Sequence, residues 1–391
     1  MRLSRTDRSV ITEWWFSADL PMLGAIVLLM LLGAVFSLAA SPIASHKFGE
    51  PPLHFFTRHM LFLGPSILLM LSVSMFGPKM TRRAGLALYL GGFALIIVAL
   101  LQGVEKNGAV RWLVFAGQSI QPSEFAKPGL IILIAWLFAE NGRRRDMPAF
   151  QLAIVLFGAL ASVLIMQPDV GQTFLITLVF GGLFFLAGYS LFWIVVGVGG
   201  AATAFASAYF LIPHVKSRLD RFLNPTVGDT RQVDTALAAF RDGGWFGRGP
   251  GESVVTLDLP DAHTDYIFAV IAQEFGIILC LGLVLTYAFI VWRGFRAAFR
   301  SQDAFIRLAL SGLMMLFGFQ TLINMAVNVD LLPSKGMTLP FLSYGGSSLA
   351  AMALTMGLAL ALARRRPEGG PVYRSGREMA DDVVSQRGIR I

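Results

Sequence analysis

Charged residues in this sequence stand at the ends of apolar stretches, where they could act on a substrate at a membrane surface. Asp265 is the clearest case, because it follows His263 and Thr264 in HTDYIFA, where a polar segment meets an apolar one. A carboxylate in this position can accept the proton of an attacking hydroxyl group, which is general base catalysis. It can also stabilise the first turn of a helix whose N-cap is Thr264, so both interpretations stay open.

Other ionisable side chains lie in similar positions. Glu124 and Lys127 in QPSEFAKP are three residues apart, so they share a helix face and can form an ion pair. Glu274 lies nine residues after Asp265, about 14 Å further along a helix. The two acids therefore cannot act on one reacting atom, and we expect Glu274 to form a buried ion pair or hydrogen bonds. The cations Arg111, Lys127, Arg248 and Lys335 lie on the same predicted external side.

Several of these residues also have simpler explanations. Asp169 in QPDVGQT and Asn324 can cap helices as well as contact a substrate. Arg111 precedes Trp112 and can anchor the chain at the membrane interface. Lys335 can be an ordinary loop lysine. The sequence alone does not separate these alternatives.

The composition identifies the elements that must position these residues. The 391 residues are 55% hydrophobic and 14% charged, with a mean hydropathy of +0.66, whereas soluble domains are about 25% charged. Apolar stretches long enough to span a bilayer need roughly 18 residues. We predict an all-α integral membrane protein with ten transmembrane helices in residues 20–46, 60–78, 84–104, 124–139, 147–168, 170–187, 191–215, 275–292, 308–329 and 336–363, with Gly188-Tyr189-Ser190 between the sixth and seventh.

The distribution of cations predicts the orientation of these helices. Arginines and lysines are concentrated before the first span and in alternate connections, so the positive-inside rule places both termini in the cytoplasm. The net charge of +8 is then mainly a topology signal and does not indicate nucleic-acid binding. Cys280 is the one cysteine, which excludes a disulfide within the chain and a cysteine metal site.

Three regions follow from this reading. Residues 1–14 form a cytoplasmic N-terminal tail, residues 15–366 a ten-helix membrane domain, and residues 367–391 a polar C-terminal tail that we expect to be disordered. The membrane domain includes one large extracytoplasmic loop, residues 213–264. Within this loop Val233, Leu237 and Phe240 have helical spacing and Gly243-Gly244 follows, which predicts a short amphipathic helix on the bilayer surface.

The motifs NGAVRW, QPSEFAK, QPDVGQT, GGWFGRGPG, HTDYIFA and KGMTLPFLSYGGSS occur in order across residues 107–348. Together with the ten predicted spans, this series closely resembles the SEDS (shape, elongation, division, sporulation) family of bacterial cell-wall proteins. AHTD and LPSKGMTLPF resemble the division branch of the family, whereas the elongation branch usually lacks a lysine at the position of Lys335.

The resemblance implies a peptidoglycan glycosyltransferase that polymerises lipid II at the outer face of the cytoplasmic membrane. By position, Asp265 matches the aspartate regarded as catalytic in the family, and Glu124 and Lys127 match the family's ion pair. The implied partners are lipid II, the growing glycan strand, the class B penicillin-binding transpeptidase of the septum and other division proteins. The implied reaction releases a lipid pyrophosphate, which needs cations near it, and Arg111, Lys127, Arg248 and Lys335 are the candidates. Whether a divalent cation, Mg²⁺ or Mn²⁺, assists the reaction stays open.

Three alternatives remain at this stage. A transporter that flips lipid-linked precursor would also have ten spans, but it needs polar groups along a full path, and here the polar residues cluster on one face. A non-catalytic division scaffold would only position the transpeptidase. An elongation paralogue would catalyse the same reaction at another place in the cell.

Overall fold

The computed structural model describes residues 9–106, 109–115, 117–141, 146–190, ten positions between 192 and 210, and residues 231–253, 255–259, 261–333 and 336–365. The chain divides into two compact units, residues 20–363 and residues 1–19 with 364–391. The helices are α1 (Val10–Ser17), α2 (Leu20–Phe48), α3 (His54–Ser74), α4 (Pro78–Gln102), α5 (Ser123–Asn141), α6 (Ala149–Met166), α7 (Val170–Leu186), α8 (Arg231–Gly243), α9 (Ile267–Arg300), α10 (Ala304–Asn328) and α11 (Gly346–Ala363).

Seven of the described helices are long and apolar enough to cross a membrane: α2, α3, α4, α6, α9, α10 and α11. Helix α7 is a shorter apolar helix, and it ends just before Gly188, whose φ of 81° fits the predicted break. Helix α5 has 19 residues and carries Glu124, Lys127 and Glu140. The seventh predicted span falls largely outside the described residues. The protein is therefore an integral membrane protein, and the count of ten spans stays a prediction.

The prediction of an all-α fold was wrong in the connection between α4 and α5. This connection forms the strands β1 (Val104–Lys106), β2 (Ala109–Phe115) and β3 (Gln118–Ile120), which pair antiparallel in the order β1-β2-β3. Gly117, with a φ of 74°, lies between β2 and β3, where a hairpin turn requires this backbone conformation. Because β2 carries Arg111, the sheet determines where that side chain lies.

The last predicted span is also shorter than expected. Helix α11 begins at Gly346, whereas the prediction began at residue 336. The described residues 336–345 are irregular, because their main chain bonds to side chains of α10. Asn324 donates to the Met337 carbonyl at 2.6 Å, and Gln320 donates to the Thr338 carbonyl at 3.2 Å.

Helix α9 is broken at Gly276, where φ is 85° and ψ is 170°. We call residues 267–275 the half-helix and residues 277–300 the spanning part. Helix α8, which the apolar spacing predicts, ends beside this break, and the ring of Phe240 packs against that of Phe268 at 5.7 Å. The loop after α8 bonds to both sides of the break. Ile277 N donates to the Gly244 carbonyl at 2.9 Å, and Gly249 N donates to the Glu274 carbonyl at 3.0 Å.

The smaller unit contains α1 and the residues after α11. Ser9 caps α1 by accepting from Thr12 N, and the Arg364 guanidinium donates to Ser17 Oγ at 2.9 Å. Arg365 N donates to the Ser17 carbonyl, also at 2.9 Å. The predicted C-terminal tail, residues 367–391, lies outside the described residues.

Candidate functional site

Asp265 lies in a turn, residues 261–266, which we call the Asp265 turn. Helix α9 begins two residues later at Ile267, with Tyr266 at the N-cap position and no side-chain cap. The prediction that Thr264 caps this helix was therefore wrong. Its hydroxyl donates back to the Asp261 carbonyl at 3.3 Å, and its carbonyl is bonded elsewhere.

The main chain of the Asp265 turn is held by α10 and by the segment between α10 and α11. Tyr344 N donates to the His263 carbonyl at 2.8 Å, and Ser343 Oγ donates to the Thr264 carbonyl at 2.5 Å. The Asp265 carbonyl accepts from Asn324 Nδ2 and from Asn328 Nδ2, both at 2.9 Å. Three consecutive carbonyls are thus fixed by distant residues, so the position of the Asp265 Cα atom is strongly determined.

The side chain of Asp265 is half-buried, whereas Ala262, His263 and Tyr266 around it are buried. A methyl group built on Gly336 would lie 3.7 Å from Asp265 Oδ2. The segment that follows Lys335 therefore adjoins the carboxylate. Lys335 itself lies outside the described residues.

His263 belongs to an aromatic cluster behind this turn. Its ring centroid lies 4.5 Å from that of Phe55 and 5.6 Å from that of Tyr344. Burial lowers the pKa of His263 from 6.5 to about 4. The imidazole is neutral at physiological pH and a much weaker base than an ordinary histidine.

Lys127 is part of a second polar group, which we call the buried ion-pair cluster: Glu124, Lys127, Gln172 and Gln320. Lys127 Nζ donates to Glu124 Oε1 at 2.9 Å, to Gln172 Oε1 at 2.6 Å and to Gln320 Oε1 at 3.4 Å. Gln172 Nε2 also donates to Glu124 Oε1 at 2.8 Å. Lys127 is 1% exposed and Glu124 4%. All three ammonium hydrogens have partners, so in this arrangement Lys127 presents none to a ligand.

Arg111 contacts the turn between α6 and α7. Its Nε donates to the Gln167 carbonyl at 3.1 Å, its Nη2 donates to the Pro168 carbonyl, and its Nη1 lies 3.6 Å from Asp169 Oδ1. Asp169 caps α7 by accepting from Gln172 N, so the predicted capping role is observed for this residue. Burial raises the pKa of Asp169, and the positive charge of Arg111 opposes this shift.

Arg248 and Glu274 both lie close to the break in α9, where Arg248 N donates to the Gln273 carbonyl at 2.9 Å. The Arg248 guanidinium binds Asp242 Oδ1 at 2.5 Å, and its side chain is 59% exposed. Glu274 Oε1 accepts from Ser253 Oγ at 2.5 Å, which is the hydrogen bonding that we expected for this buried acid. Neither contact brings these residues to the Asp265 carboxylate.

Helix α10 carries three amides that the sequence reasoning did not use as a group: Gln320, Asn324 and Asn328. Their spacing of four residues places them along one face of an otherwise apolar helix, over about 12 Å. This row joins the buried ion-pair cluster at Gln320 to the Asp265 turn at Asn328. The spacing was a visible signal of a buried polar face. The expectation that Asn324 caps a helix was wrong, because its side chain binds two carbonyls of other segments.

No group of three or more His, Cys, Asp or Glu side chains that could hold a metal ion occurs in the described part of the chain. The site described here therefore consists of one half-buried carboxylate and the residues that fix its main chain. Such an arrangement can accept a proton from a hydroxyl group placed beside it.

Comparison with known proteins identifies the family. Residues 20–368 match the model of the cell cycle protein family of FtsW, RodA and SpoVE. The chain is 47% identical over 366 residues to a probable peptidoglycan glycosyltransferase FtsW from Caulobacter vibrioides, covering 93% of this chain and 94% of that protein. The chain therefore belongs to this family, which confirms the resemblance found in the sequence.

Solved structures agree with this assignment. A chain from a structure on the coordination of polymerization and crosslinking by a peptidoglycan synthase complex has a TM-score of 0.74 and 26% identity, covering 89% of this chain and 98% of that one. The rod shape determining protein RodA of Thermus thermophilus has a TM-score of 0.67 and 26% identity, covering 91% of this chain and 99% of that one.

Proposed function

We propose that this protein is a peptidoglycan glycosyltransferase that polymerises lipid II into glycan strands, with Asp265 as the general base. Membership of the family and the 47% identity to a protein named as such an enzyme support the reaction class. The role of Asp265 rests on the geometry of its turn.

One observation carries that role. Of the acids that the sequence places at the predicted external face, Glu124 and Asp169 are 4% and 2% exposed. Both are also bonded to cations. Asp265 is half-buried on a turn whose main chain is fixed, so a hydroxyl group can approach its carboxylate. His263 is a poorer candidate for the base, because its ring is buried against Phe55 and Tyr344.

The reaction follows from these positions. The sugar 4-hydroxyl of the acceptor attacks the anomeric carbon of the donor, and the bond from that carbon to the pyrophosphate oxygen breaks. The proton of the hydroxyl passes to Asp265, a contribution of about 10²–10⁴ in rate. A β-1,4 link from an α-linked donor requires inversion. One carboxylate is sufficient, because pyrophosphate leaves without a proton, unlike the leaving group of most glycoside hydrolases.

The leaving pyrophosphate needs positive charge near it. Arg248 is the exposed cation among the described candidates, and its guanidinium retains N–H groups beyond those that bind Asp242. Lys335 precedes the segment beside Asp265 and is the second choice. Arg111 and Lys127 are engaged by neighbouring acids and carbonyls, so we assign them to the scaffold.

The cellular setting is part of the proposal. The protein crosses the cytoplasmic membrane ten times with both termini inside, and the Asp265 turn faces outward at the division septum. Its partner there is a class B penicillin-binding transpeptidase, with other division proteins. The similar chain from a peptidoglycan synthase complex that couples polymerization and crosslinking supports this pairing.

The test is polymerisation of labelled lipid II by the protein co-purified with its transpeptidase. Native protein, Asp265→Asn and Asp261→Asn are compared, because Asp261 is a half-buried acid in the same turn. We expect long glycan strands from native protein and from Asp261→Asn, and a loss of about 10²-fold or more from Asp265→Asn. Equal synthesis by all three would remove Asp265 as the base. Failure of every intact complex to make strands would favour a lipid flippase or a scaffold.

A further inference from the structure

Ala269 N is one of the first N–H groups of the half-helix, which have no regular acceptor within the helix. It would donate to the Asp265 carbonyl only if the helix began about one turn earlier. In this structure the carboxamide of Asn328 lies between them. Asn328 Nδ2 donates to the Asp265 carbonyl at 2.9 Å, and Asn328 Oδ1 accepts from Ala269 N at 3.1 Å.

The opposite orientation of this carboxamide would place its oxygen against the Asp265 carbonyl and its NH₂ against an N–H group. Only the observed orientation satisfies both main-chain groups. Asn328 is fully buried, and Nδ2 also donates to the Asn324 carbonyl at 2.9 Å. A buried amide is costly unless its donors and acceptors are satisfied, and here each has a partner.

The inserted carboxamide keeps Asp265 out of the regular helix. Ala269 N also reaches the Tyr266 carbonyl at 3.0 Å, which is the tighter spacing of a 3₁₀ turn. Since Asn328 and Asn324 both donate to the Asp265 carbonyl, the peptide plane after Asp265 is fixed from α10. The direction of the Cα–Cβ bond, and hence the place of the carboxylate, depends on that plane.

We propose that Asn328 is a positioning residue, which sets the place of the Asp265 carboxylate through the main chain and does not touch the substrate. This inference rests on the proposed role of Asp265. A shift of about 1 Å in a reacting group can reduce the rate by roughly 10²-fold. A positioning role therefore predicts a large fall in turnover with little change in lipid II binding.

Two variants test the role. Asn328→Leu keeps the approximate size of the side chain and removes both hydrogen bonds. In Asn328→Asp the protonated carboxyl group can replace the carboxamide, because its O–H donates to the Asp265 carbonyl and its C=O accepts from Ala269 N. When ionised it cannot donate, and it repels that carbonyl.

In the lipid II assay we expect Asn328→Leu to lower kcat by about 10- to 100-fold with KM changed less than about threefold. Because Asn328 is fully buried, burial should raise the pKa of the new carboxyl group from its ordinary value of about 3.9 into the assay range. The rate of Asn328→Asp relative to native protein should then fall roughly tenfold between pH 6 and pH 8.5. Thr321→Val is the matched control, because Thr321 is buried on the same helix and its hydroxyl donates to the Phe317 carbonyl, its single hydrogen bond within the described residues. It should retain nearly native kcat.

Melting temperature and partner co-purification are measured for each complex, and Asp265→Asn is included. If Asn328→Leu does not fold, the turnover of Asn328→Asp across pH 6 to pH 8.5 decides, since one sample serves at every pH. Native turnover by Asn328→Leu, or native turnover by Asn328→Asp at pH 8.5, would overturn the positioning role while Asp265→Asn stays inactive. Activity of Asp265→Asn would overturn the proposed function and this inference with it.

Discussion

The buried ion-pair cluster and the Asp265 turn are both polar groups in an apolar protein, but they are satisfied in different ways. In the cluster, side chains bond to one another, and Lys127 is enclosed by Glu124, Gln172 and Gln320. In the turn, distant residues bond to main-chain carbonyls, and the carboxylate remains half-buried. In the first arrangement the charges compensate one another, whereas in the second the backbone is fixed and the charge is left at the surface of the turn, as the proposed role of Asp265 requires.

The largest loss of stability is expected from Lys127→Met, which tests whether the buried ion-pair cluster stabilises the protein. Removing one member of a buried ion pair leaves Glu124 uncompensated, which costs about 3–5 kcal/mol of stability. The double variant Glu124→Gln with Lys127→Met should lose less, because no charge remains buried. Thermal unfolding of the purified protein in detergent measures both. Asp265→Asn should show the reverse pattern, with lost synthesis and a nearly native melting temperature. A stable but inactive Lys127→Met would instead mean that Lys127 contacts the substrate.

A somewhat smaller effect is expected from Gly276→Ala, which perturbs the loop that supports the half-helix. An alanine at φ 85° is strained, and its methyl group would overlap the Trp245 carbonyl. We expect a loss of about 3 kcal/mol, with synthesis falling as well. Gly282→Ala on the same helix is the control, because a methyl group there meets nothing within 4 Å. It should be neutral or stabilising by up to about 1 kcal/mol. Equal melting temperatures for the two variants would contradict the tight fit at the break.

The smallest expected effect concerns pH and the histidine behind the turn. The pKa of His263 is about 4 in the folded protein against 6.5 for the ordinary group. Between these values the unfolded chain binds more protons, so stability rises with pH and is lost as pH falls below 6.5. The loss from this group between pH 7 and pH 5 is about 2 kcal/mol. His263→Phe should remove that part of the pH dependence in thermal unfolding. An unchanged slope would show that His263 titrates normally.

The features that could be predicted from the sequence are those that depend on residues close together in the chain. The apolar stretches located seven helices that can cross a membrane, and the spacing of Val233, Leu237 and Phe240 located α8. The separation of Glu124 and Lys127 was sufficient to expect their ion pair, because three residues place two side chains on one helix face. Asp265 was singled out because it marks the change from polar to apolar sequence.

The features that were missed depend on contacts between distant residues. Asn328 bonds to Ala269 across 59 positions, and no local pattern shows that pairing. Thr264 has the residue type and position of an N-cap. However, the Ser343 hydroxyl donates to the Thr264 carbonyl, and the helix begins only at Ile267. Residues 336–345 are apolar enough for a span, but the amides of α10 bond to their main chain. The break at Gly276 depends equally on the loop that bonds to it.

The residues that anchor the Asp265 turn are synthesised after the turn itself. Ser343 and Thr264 are separated by 79 residues, whereas Gln172 joins Glu124 across 48. A ribosome adds about 5–20 residues per second, so the chain exists for roughly 4–16 s with Asp265 already made and its anchor not yet made. If Asp265 is the base, we expect the newborn protein to be inactive until α11 is being inserted. A chain that ended before residue 343 would carry the acid but lack part of the main-chain anchor that fixes it.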